Sequence, residues 1–358
     1  MKPIHASLAE LGEFDEIIDV RSPAEFADDH IPGASNCPVL DNEQRARIGT
    51  LYVQVSPFEA RKVGAALVAA NIARHLEQRF LDRPRTWRPL IYCWRGGQRS
   101  GAMVTIFRAI GWNAAQLEGG YRTYRRNVVA ELVDLPARFS FHVLSGPTGS
   151  GKTSVLQALA ALGEQVLDLE ALACHKGSVL GVLPETPQPS QKAFESSIVC
   201  ALRGFDPARP VYVEAESRKI GKLRVTDELL AGIRAGHCFE IDAPLPARVD
   251  YLLTDYAYFL AQPEWLKQRL DSLRELHSKE TLANWHRLID AGEWRQLVHE
   301  LLSQHYDPHY RRSQGKHYGN ALPPTSLTTV GFSKETISGL CGEILRFSVS
   351  SMGKESCP

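Results

Sequence analysis

The sequence predicts an α/β protein: two parallel-sheet domains in series, the second ending in a helical part. Three observations predict it. Short apolar runs, such as 17–20 and 90–92, alternate with longer stretches of helical spacing, the pattern of parallel strands covered by helices. The alternation restarts after a break at 135–138, with an apolar run over 139–144. Residues 245–310 then carry apolar side chains at helical intervals, at Val249, Leu252, Leu253 and Tyr256 and again at Leu266, Leu270, Leu273 and Leu276. At 358 residues the chain has room for two or three domains, and the expected divisions are 1–135, 136–245 and 246–358.

In chain order, 17–20 is a short buried strand. Ser22 follows as an N-cap, with Pro23 at the first helical position and Glu25 at the third, close to a capping box. His30, Ile31, Pro32 and Gly33 form a turn leading towards Pro38. Residues 57–82 read as one helix with a small apolar face through Val63, Leu67, Ala70 and Ala73. The strand over 90–92 ends in Cys93, and a helical run occupies 102–107. Gly111 and Trp112 close that helix, and 115–117 lead into Glu118, Gly119, Gly120 and Tyr121.

Between the Cys93 strand and its helix lie Trp94, Arg95, Gly96, Gly97, Gln98, Arg99 and Ser100. A thiol placed there meets converging backbone N–H groups and the positive end of a helix. Such surroundings stabilise a thiolate, or an anion beside it. Arg95 and Arg99 cannot lose their charge and add bidentate donors. Buried inert thiols do not usually sit in an arginine and glycine loop, so Cys93 reads as a reactive nucleophile.

Cationic and anionic residues balance at 41 each, so the whole chain is no polycation. Locally the balance differs, because 83–126 holds nine arginines, no lysine and one acid, Glu118. That segment surrounds Cys93 and would attract an anionic substrate or a phosphate backbone. Seven cysteines without a CxxC pair argue against a disulfide framework or structural zinc and for a reducing cytoplasm. The run over 63–70 is too short to span a bilayer, and the first residues lack an apolar signal core, so a cytoplasmic protein is expected.

The second domain opens on the 139–144 strand. Gly146, Pro147, Thr148, Gly149, Ser150, Gly151, Lys152 and Thr153 follow, and then an apolar helix from Val155. This is a complete phosphate-binding loop in its strand–loop–helix setting. Its glycines let backbone N–H groups wrap a pyrophosphate, Lys152 reaches the terminal phosphate, and Thr153 is a candidate Mg²⁺ ligand. The loop alone leaves open whether its ligand is a nucleotide.

Two later strand ends carry acids, Asp168 with Glu170 and Glu214 with Glu216. These would order magnesium or a water, or else cap the next element. His175 and Lys176 add polar groups between them, and Arg218, Lys219 and Lys222 follow the second acidic strand, facing phosphates or solvent. In 304–319 aromatics interleave with cations, which would either stack on splayed bases or hinge the helical part onto the preceding domain. His305, His309 and His317 lack tight metal-ligand spacing, and the tail after Ser348 reads as disordered.

Four pieces in order resemble the rhodanese family and cover most of 10–130: Asp19 to Phe26, His30 to Ala34, the Cys93 loop, and Glu118 to Tyr121. That family carries a sulfur-like atom as a persulfide on the loop cysteine, so the resemblance gives this role to Cys93. The spacing of Cys93, Arg99 and Ser100 also fits a phosphatase signature, but Tyr92 stands where those phosphatases usually have histidine. A rhodanese-like domain followed by a P-loop NTPase-like α/β domain is an unusual pairing. With 168–170, 175–178, 191–195 and 216–221 it resembles the tRNA 2-selenouridine synthase family from about residue 10 to at least 320. Lys176 departs from the pattern, standing where arginine is expected, which keeps the charge and loses the bidentate grip.

The resemblance implies an enzyme that replaces sulfur by selenium in the wobble 2-thiouridine of tRNA, with selenophosphate as donor. It also implies that the sulfur is first prenylated by geranyl diphosphate, giving S-geranyl-2-thiouridine. Alkylation makes chemical sense, because a thiocarbonyl sulfur is a poor leaving group and an alkylated one departs as a neutral thiol. Cys93 would be the selenium-carrying nucleophile or the group that cleaves the donor. Arg95 and Arg99, with Trp94, Gly96, Gly97, Gln98 and Ser100, would hold the selenophosphate. The 146–153 loop would cradle the diphosphate, with Lys152 and Thr153, and Mg²⁺ as companion ion, neutralising it as it leaves. Asp168, Glu170, His175, Glu214, Glu216, Arg218 and Lys219 would support that loop. tRNA is the expected partner and a selenophosphate-producing enzyme a candidate one. The alternatives are a P-loop kinase or ATPase with a sulfur-transfer rhodanese module, and a non-catalytic tRNA-binding protein.

Overall fold

A computed structural model describes residues 4–317 and 323–352, with side chains over 4–312 and 323–347. The chain forms two units, one of 1–131 with 189–200 and one of 132–188 with 201–358. The first contains an all-parallel sheet of β1 (His5–Ala6), β2 (Glu16–Asp19), β3 (Ser35–Asn36), β4 (Pro89–Tyr92) and β5 (Ala115–Leu117), in the order β1-β5-β4-β2-β3. Parallel pairing needs crossovers, and α1 (Pro23–Asp28), α2 (Asn42–Gln54), α3 (Pro57–His75) and α4 (Gln98–Ile110) lie within them, while α5 (Gly120–Asp134) follows the last strand, β5. β4 is central and buried along its length, so its C-terminal end delivers Cys93 to the middle of one sheet edge.

The core beneath Cys93 is built from Ile18, Val20, Ile91, Met103, Val104 and Phe107. Phe107 meets Phe80 and Trp112 edge to face, at centroid distances of 5.3 and 5.1 Å. Each such side chain, fully buried, contributes about 1.5–3 kcal/mol. The helix expected over 57–82 is α3 followed by a wider π-type turn over Leu76–Phe80, which brings Phe80 into that core. Ser22 starts α1 as expected, its backbone N–H donating to the Glu25 carboxylate at 3.2 Å.

The second unit holds β6 (Phe141–Ser145), β7 (Gln165–Leu167), β8 (Val211–Glu214), β11 (His237–Asp242) and β12 (Thr325–Thr328), parallel in the order β12-β11-β6-β8-β7. A hairpin of β9 (Lys219–Ile220) and β10 (Leu223–Arg224) stands apart, turning at Gly221. α6 (Lys152–Ala161) packs through Val155 and Leu156 against Leu340, Cys341 and Ile344 of the last helix, Lys334–Met352. The helical part gathers around the wholly buried Trp285, with Leu266, Leu270, Leu288 and Leu297. Among the described residues no helix is long and apolar enough to cross a membrane.

Two expectations are corrected. The stretch from 246 was expected to be helical, yet Thr325–Thr328 is the edge strand β12; four residues become a strand only by pairing with Phe239–Asp242. The tail expected to be disordered after Ser348 is helical to Met352, and 353–358 lie outside the described residues. Of the 304–319 stretch, the side chains beyond Arg312, those of His317 and Tyr318 included, also lie outside them.

Candidate active sites

β4 stops at Tyr92 and α4 begins at Gln98, so the loop between them wraps the Cys93 sulfur. Gly97 N–H donates to Sγ at 3.3 Å and the Ser100 hydroxyl donates at 3.1 Å. Both donors are placed to stabilise negative charge on sulfur. Gln116, on β5, donates to Ser100 Oγ at 2.7 Å and to the Gly97 carbonyl at 2.9 Å, which orients that hydroxyl. Cys93 itself is only 3% exposed, with core on one side and this polar loop on the other.

The loop is held from the 118–121 turn. Tyr121 N–H donates to the Cys93 carbonyl at 2.9 Å and Arg122 N–H to the Trp94 carbonyl at 3.0 Å. Gly96 and Gly120 adopt φ of +62° and +60°, and a Cβ on Gly120 would stand 2.5 Å from the Gly96 nitrogen. Only glycine permits that approach. Trp94 is exposed and its ring lies 5.3 Å from that of Tyr121, while Arg95 and Gln98 are exposed.

Arg99 is engaged elsewhere. Its two terminal nitrogens donate to the Glu25 carboxylate at 2.8 and 3.3 Å. Burial pushes the Glu25 carboxyl up, but Arg99, the Ser22 N–H and Arg45 outweigh it and hold the group below the ordinary carboxylate range. Deeper still, Arg21 donates to Asp19 through Nε and Nη2 and lies 3.9 Å over the Tyr121 ring. Burial opposes the Arg21 charge, and Asp19 more than restores it. The 191–195 stretch belongs to this unit: Lys192 pairs with Asp28 at 2.7 Å and Arg125 with Glu195.

In the second unit the phosphate loop runs from β6 into α6. Gly146, Gly149 and Gly151 adopt φ of +149°, +80° and +72°, a run of conformations that turns backbone N–H groups inward. Gly146 is close-packed, since a Cβ there would stand 2.7 Å from the Ile241 carbonyl. Lys152 Nζ donates to the Gly146 carbonyl at 3.0 Å, folded back across its own loop, and the Thr153 hydroxyl donates to Glu214 at 2.7 Å. Ser150 Oγ is buried without a partner among the described residues. Pro147 and Thr148 complete the turn, and the Thr148 carbonyl accepts from Arg248 at 3.0 Å.

Three of the expected acids converge and the fourth does not. Carboxylate oxygens of Glu170, Glu214 and Glu216 lie within 4.8 Å of one another. Burial first, then their mutual repulsion, pushes the carboxyls of Glu170 and Glu216 up, while Lys152 opposes the rise. Burial also raises Glu214, against Lys152 and the Thr153 hydroxyl. Asp168 instead caps the short helix Leu169–Leu172, accepting from Ala171 N–H at 2.8 Å. The donors around Glu214 and Thr153 are all hard oxygens, which suits Mg²⁺.

His175 is buried with Nδ1 unpartnered among the described residues, and burial, then Arg269, holds it below the usual histidine range. Lys176 pairs with Asp255 at 2.7 Å and lies 4.5 Å over the Tyr256 ring. Arg218 pairs with exposed Asp227, and Lys219 is exposed on the β9–β10 hairpin.

Sequence reasoning missed three features. Gln116 was not singled out, because its role needs β5 beside β4. Gly177, at φ +62°, leaves no space for a Cβ against Glu170, so the chain closes directly over the acids. The third is an apolar cavity of about 60 Å³ that starts at Thr148 of the phosphate loop and is walled by Leu252, Tyr256, Phe259, Trp294 and Tyr306. Its signal was the aromatic content of the 245–310 helices.

Comparison with known proteins finds relatives for both parts of the chain. Residues 5–127 match the model of the rhodanese-like domain, and 139–283 that of the tRNA 2-selenouridine synthase AAA domain. A tRNA 2-selenouridine synthase of Nitrosomonas europaea is 37% identical over 265 residues, 71% of this chain and 66% of the relative. One of Bdellovibrio bacteriovorus is 35% identical over 67% of this chain and 64% of its own length. The match thus spans just under two thirds of those relatives. One of Alcanivorax borkumensis is 32% identical over 338 residues, 86% of this chain and 91% of the relative. The chain therefore belongs to the tRNA 2-selenouridine synthase family.

Proposed function

We propose that this protein replaces sulfur by selenium at C2 of the wobble 2-thiouridine of tRNA, through an S-geranyl intermediate made from geranyl diphosphate, with selenophosphate as selenium donor. The observation that carries the reading is the Cys93 sulfur accepting from Gly97 N–H and the Ser100 hydroxyl, in a chain that also holds a complete phosphate loop.

The chemistry divides between the two loops. In the first step the thiocarbonyl sulfur attacks C1 of the geranyl group, the C1–O bond breaks, diphosphate leaves, and N3 of the base gives up its proton. The 146–153 amides and Lys152 would hold the diphosphate. Mg²⁺, when bound by Thr153 and Glu214, would supply further neutralisation of that leaving group. In the second, redox-neutral step the Cys93 thiolate attacks phosphorus of selenophosphate, the P–Se bond breaks and hydrogen selenide leaves. That anion adds to C2, and geranylthiol departs with the selenium's proton. Water then removes the phosphoryl group from Cys93. Arg95 and the loop amides would hold the donor, and Arg99 would act by anchoring the loop to Glu25.

The apolar cavity supports a prenyl diphosphate over a nucleotide, because its wall beside the phosphate loop is aliphatic and aromatic. The test is Cys93→Ala, supplied with thiolated tRNA, geranyl diphosphate and selenophosphate. Mass spectrometry of the wobble uridines should show S-geranyl-2-thiouridine accumulating and 2-selenouridine absent. Unimpaired selenation would remove Cys93 from the mechanism.

A further inference from the structure

The nine arginines of 83–126 are not equivalent in the fold. Arg83, Arg88, Arg99 and Arg125 pair with Glu16, Glu13, Glu25 and Glu195. Arg108 donates to the Ala114 carbonyl, and Arg85 is exposed on the 81–87 loop. The remaining three, Arg95, Arg122 and Arg126, are exposed and pair with no acid among the described residues. They lie together. Arg122 N–H donates to the carbonyl of Trp94, the neighbour of Arg95, at 3.0 Å. Arg126 follows one turn along α5 on the same face, with about 5–6 Å between Cβ atoms. Trp94 is 39% exposed, its ring packed at 5.3 Å against Tyr121. Glu118, also exposed, is the one acid of the segment and borders this group at the 118–121 turn.

We infer that Trp94, Arg122 and Arg126, beside Arg95, form the surface that takes a single-stranded loop of the RNA substrate, with an unstacked base on the Trp94 ring and phosphates on the Arg122 and Arg126 guanidinium groups. The inference rests on the tRNA reading above and assigns the RNA to one face of the first unit. A small anion is held by donors that converge on one point. Cations one helical turn apart on an exposed face instead match successive phosphates along a strand. A duplex has no free base face to offer, so an exposed tryptophan among those cations selects a segment whose bases are splayed. Because Trp94 adjoins Cys93 in the chain, a base stacked there is held beside the thiol's own residue.

The test uses the full chain and a tRNA anticodon stem-loop as probe, with binding followed by fluorescence anisotropy from about 50 to 200 mM salt. R122E/R126E should weaken binding at least about tenfold and lower the slope of log K against log salt by about 1–2. Trp94→Ala should weaken it by a similar factor with the slope unchanged, since stacking releases no counterions. Arg85→Glu, a charge reversal on another loop, should leave binding within about twofold. Iodoacetamide labelling of Cys93 in R122E/R126E at the wild-type rate would show the loop intact. If the wild type binds the probe and R122E/R126E binds with equal affinity and slope, the surface is wrong and the tRNA reading stands. If the wild type does not bind the probe, both fall.

Discussion

Tyr121 N–H donates to the carbonyl oxygen of Cys93 at 2.9 Å, so the 118–121 turn sets the curvature of the loop that carries the thiol. That contact is possible because Gly120, at φ +60°, lets two backbones meet without a side chain between them.

Gly120→Ala should break the arrangement. The new Cβ would meet the Gly96 nitrogen at 2.5 Å, with backbone and not a flexible side chain in the way. A loss of at least about 2 kcal/mol is expected, from strain and displaced loop hydrogen bonds together. Thermal unfolding measures the loss, and iodoacetamide labelling of Cys93 should depart from the wild-type rate. A variant with unchanged Tm and labelling would refute the coupling.

Ser100→Ala removes the hydroxyl that donates to Cys93 Sγ at 3.1 Å and leaves Gln116 Nε2 without that acceptor. A hydrogen bond to a charged group contributes about 1.5–3 kcal/mol, so alkylation of Cys93 should slow by about tenfold or more. Gln116→Leu should slow it less, since Ser100 keeps its hydroxyl and loses only its orientation. An equal effect of the two would contradict this order.

Lys152→Ala removes the cation that now reaches back to the Gly146 carbonyl. Binding of geranyl diphosphate, measured by calorimetry, should weaken by about tenfold or more, while iodoacetamide labelling of Cys93 is unaffected. If ATP binding alone is weakened, the loop is a nucleotide site and the prenyl step must be sought elsewhere.

Two buried histidines, His142 and His305, each contribute to the pH dependence of stability, against the opposite contribution of the raised carboxyls of Glu170, Glu214 and Glu216. Burial, with His237 nearby, holds His142 at about 4 against an ordinary 6.5. Burial, then His309 and His277, does the same for His305, whose Nδ1 lies 2.9 Å from His277 Nε2. Between those values each histidine binds fewer protons in the folded chain than in the unfolded one. The contribution is therefore full above about pH 6.5 and is lost as pH falls towards 4. Each group should cost about 1–2 kcal/mol at pH 5 relative to pH 7. Calorimetric melts of the wild type and of His305→Asn at the two pH values isolate the His305 contribution: the stability difference between the two proteins should change by about 1–2 kcal/mol between pH 5 and pH 7, and an unchanged difference would refute it.

Much of the fold was legible. Ser22, Pro23 and Glu25 announced the start of α1, and Gly111 the end of α4, because caps and left-handed glycines act within one turn. α2 went unread because it contributes no buried residue, so periodicity had nothing to report. The expected division at 136–245 places Gln191 to Glu195 in the second domain, whereas 189–200 cluster with the first unit through Asp28, Asp29 and Arg125. The two loops were recognised whole, but not what their charges do.

The sequence by itself determined the two loop chemistries, a thiol among glycines and arginines and a glycine cradle ending in Lys152 and Thr153. Those depend on residues adjacent in the chain, whose backbone conformations are set locally. Only the tertiary structure decided that Arg99 is tied to Glu25 and Arg95 is not, that Gln116 aims Ser100 at the sulfur, and that Glu170, Glu214 and Glu216 meet while Asp168 stays a cap. Those choices join residues up to 74 positions apart, and a charge is free or paired according to which strands and helices packing brings beside it.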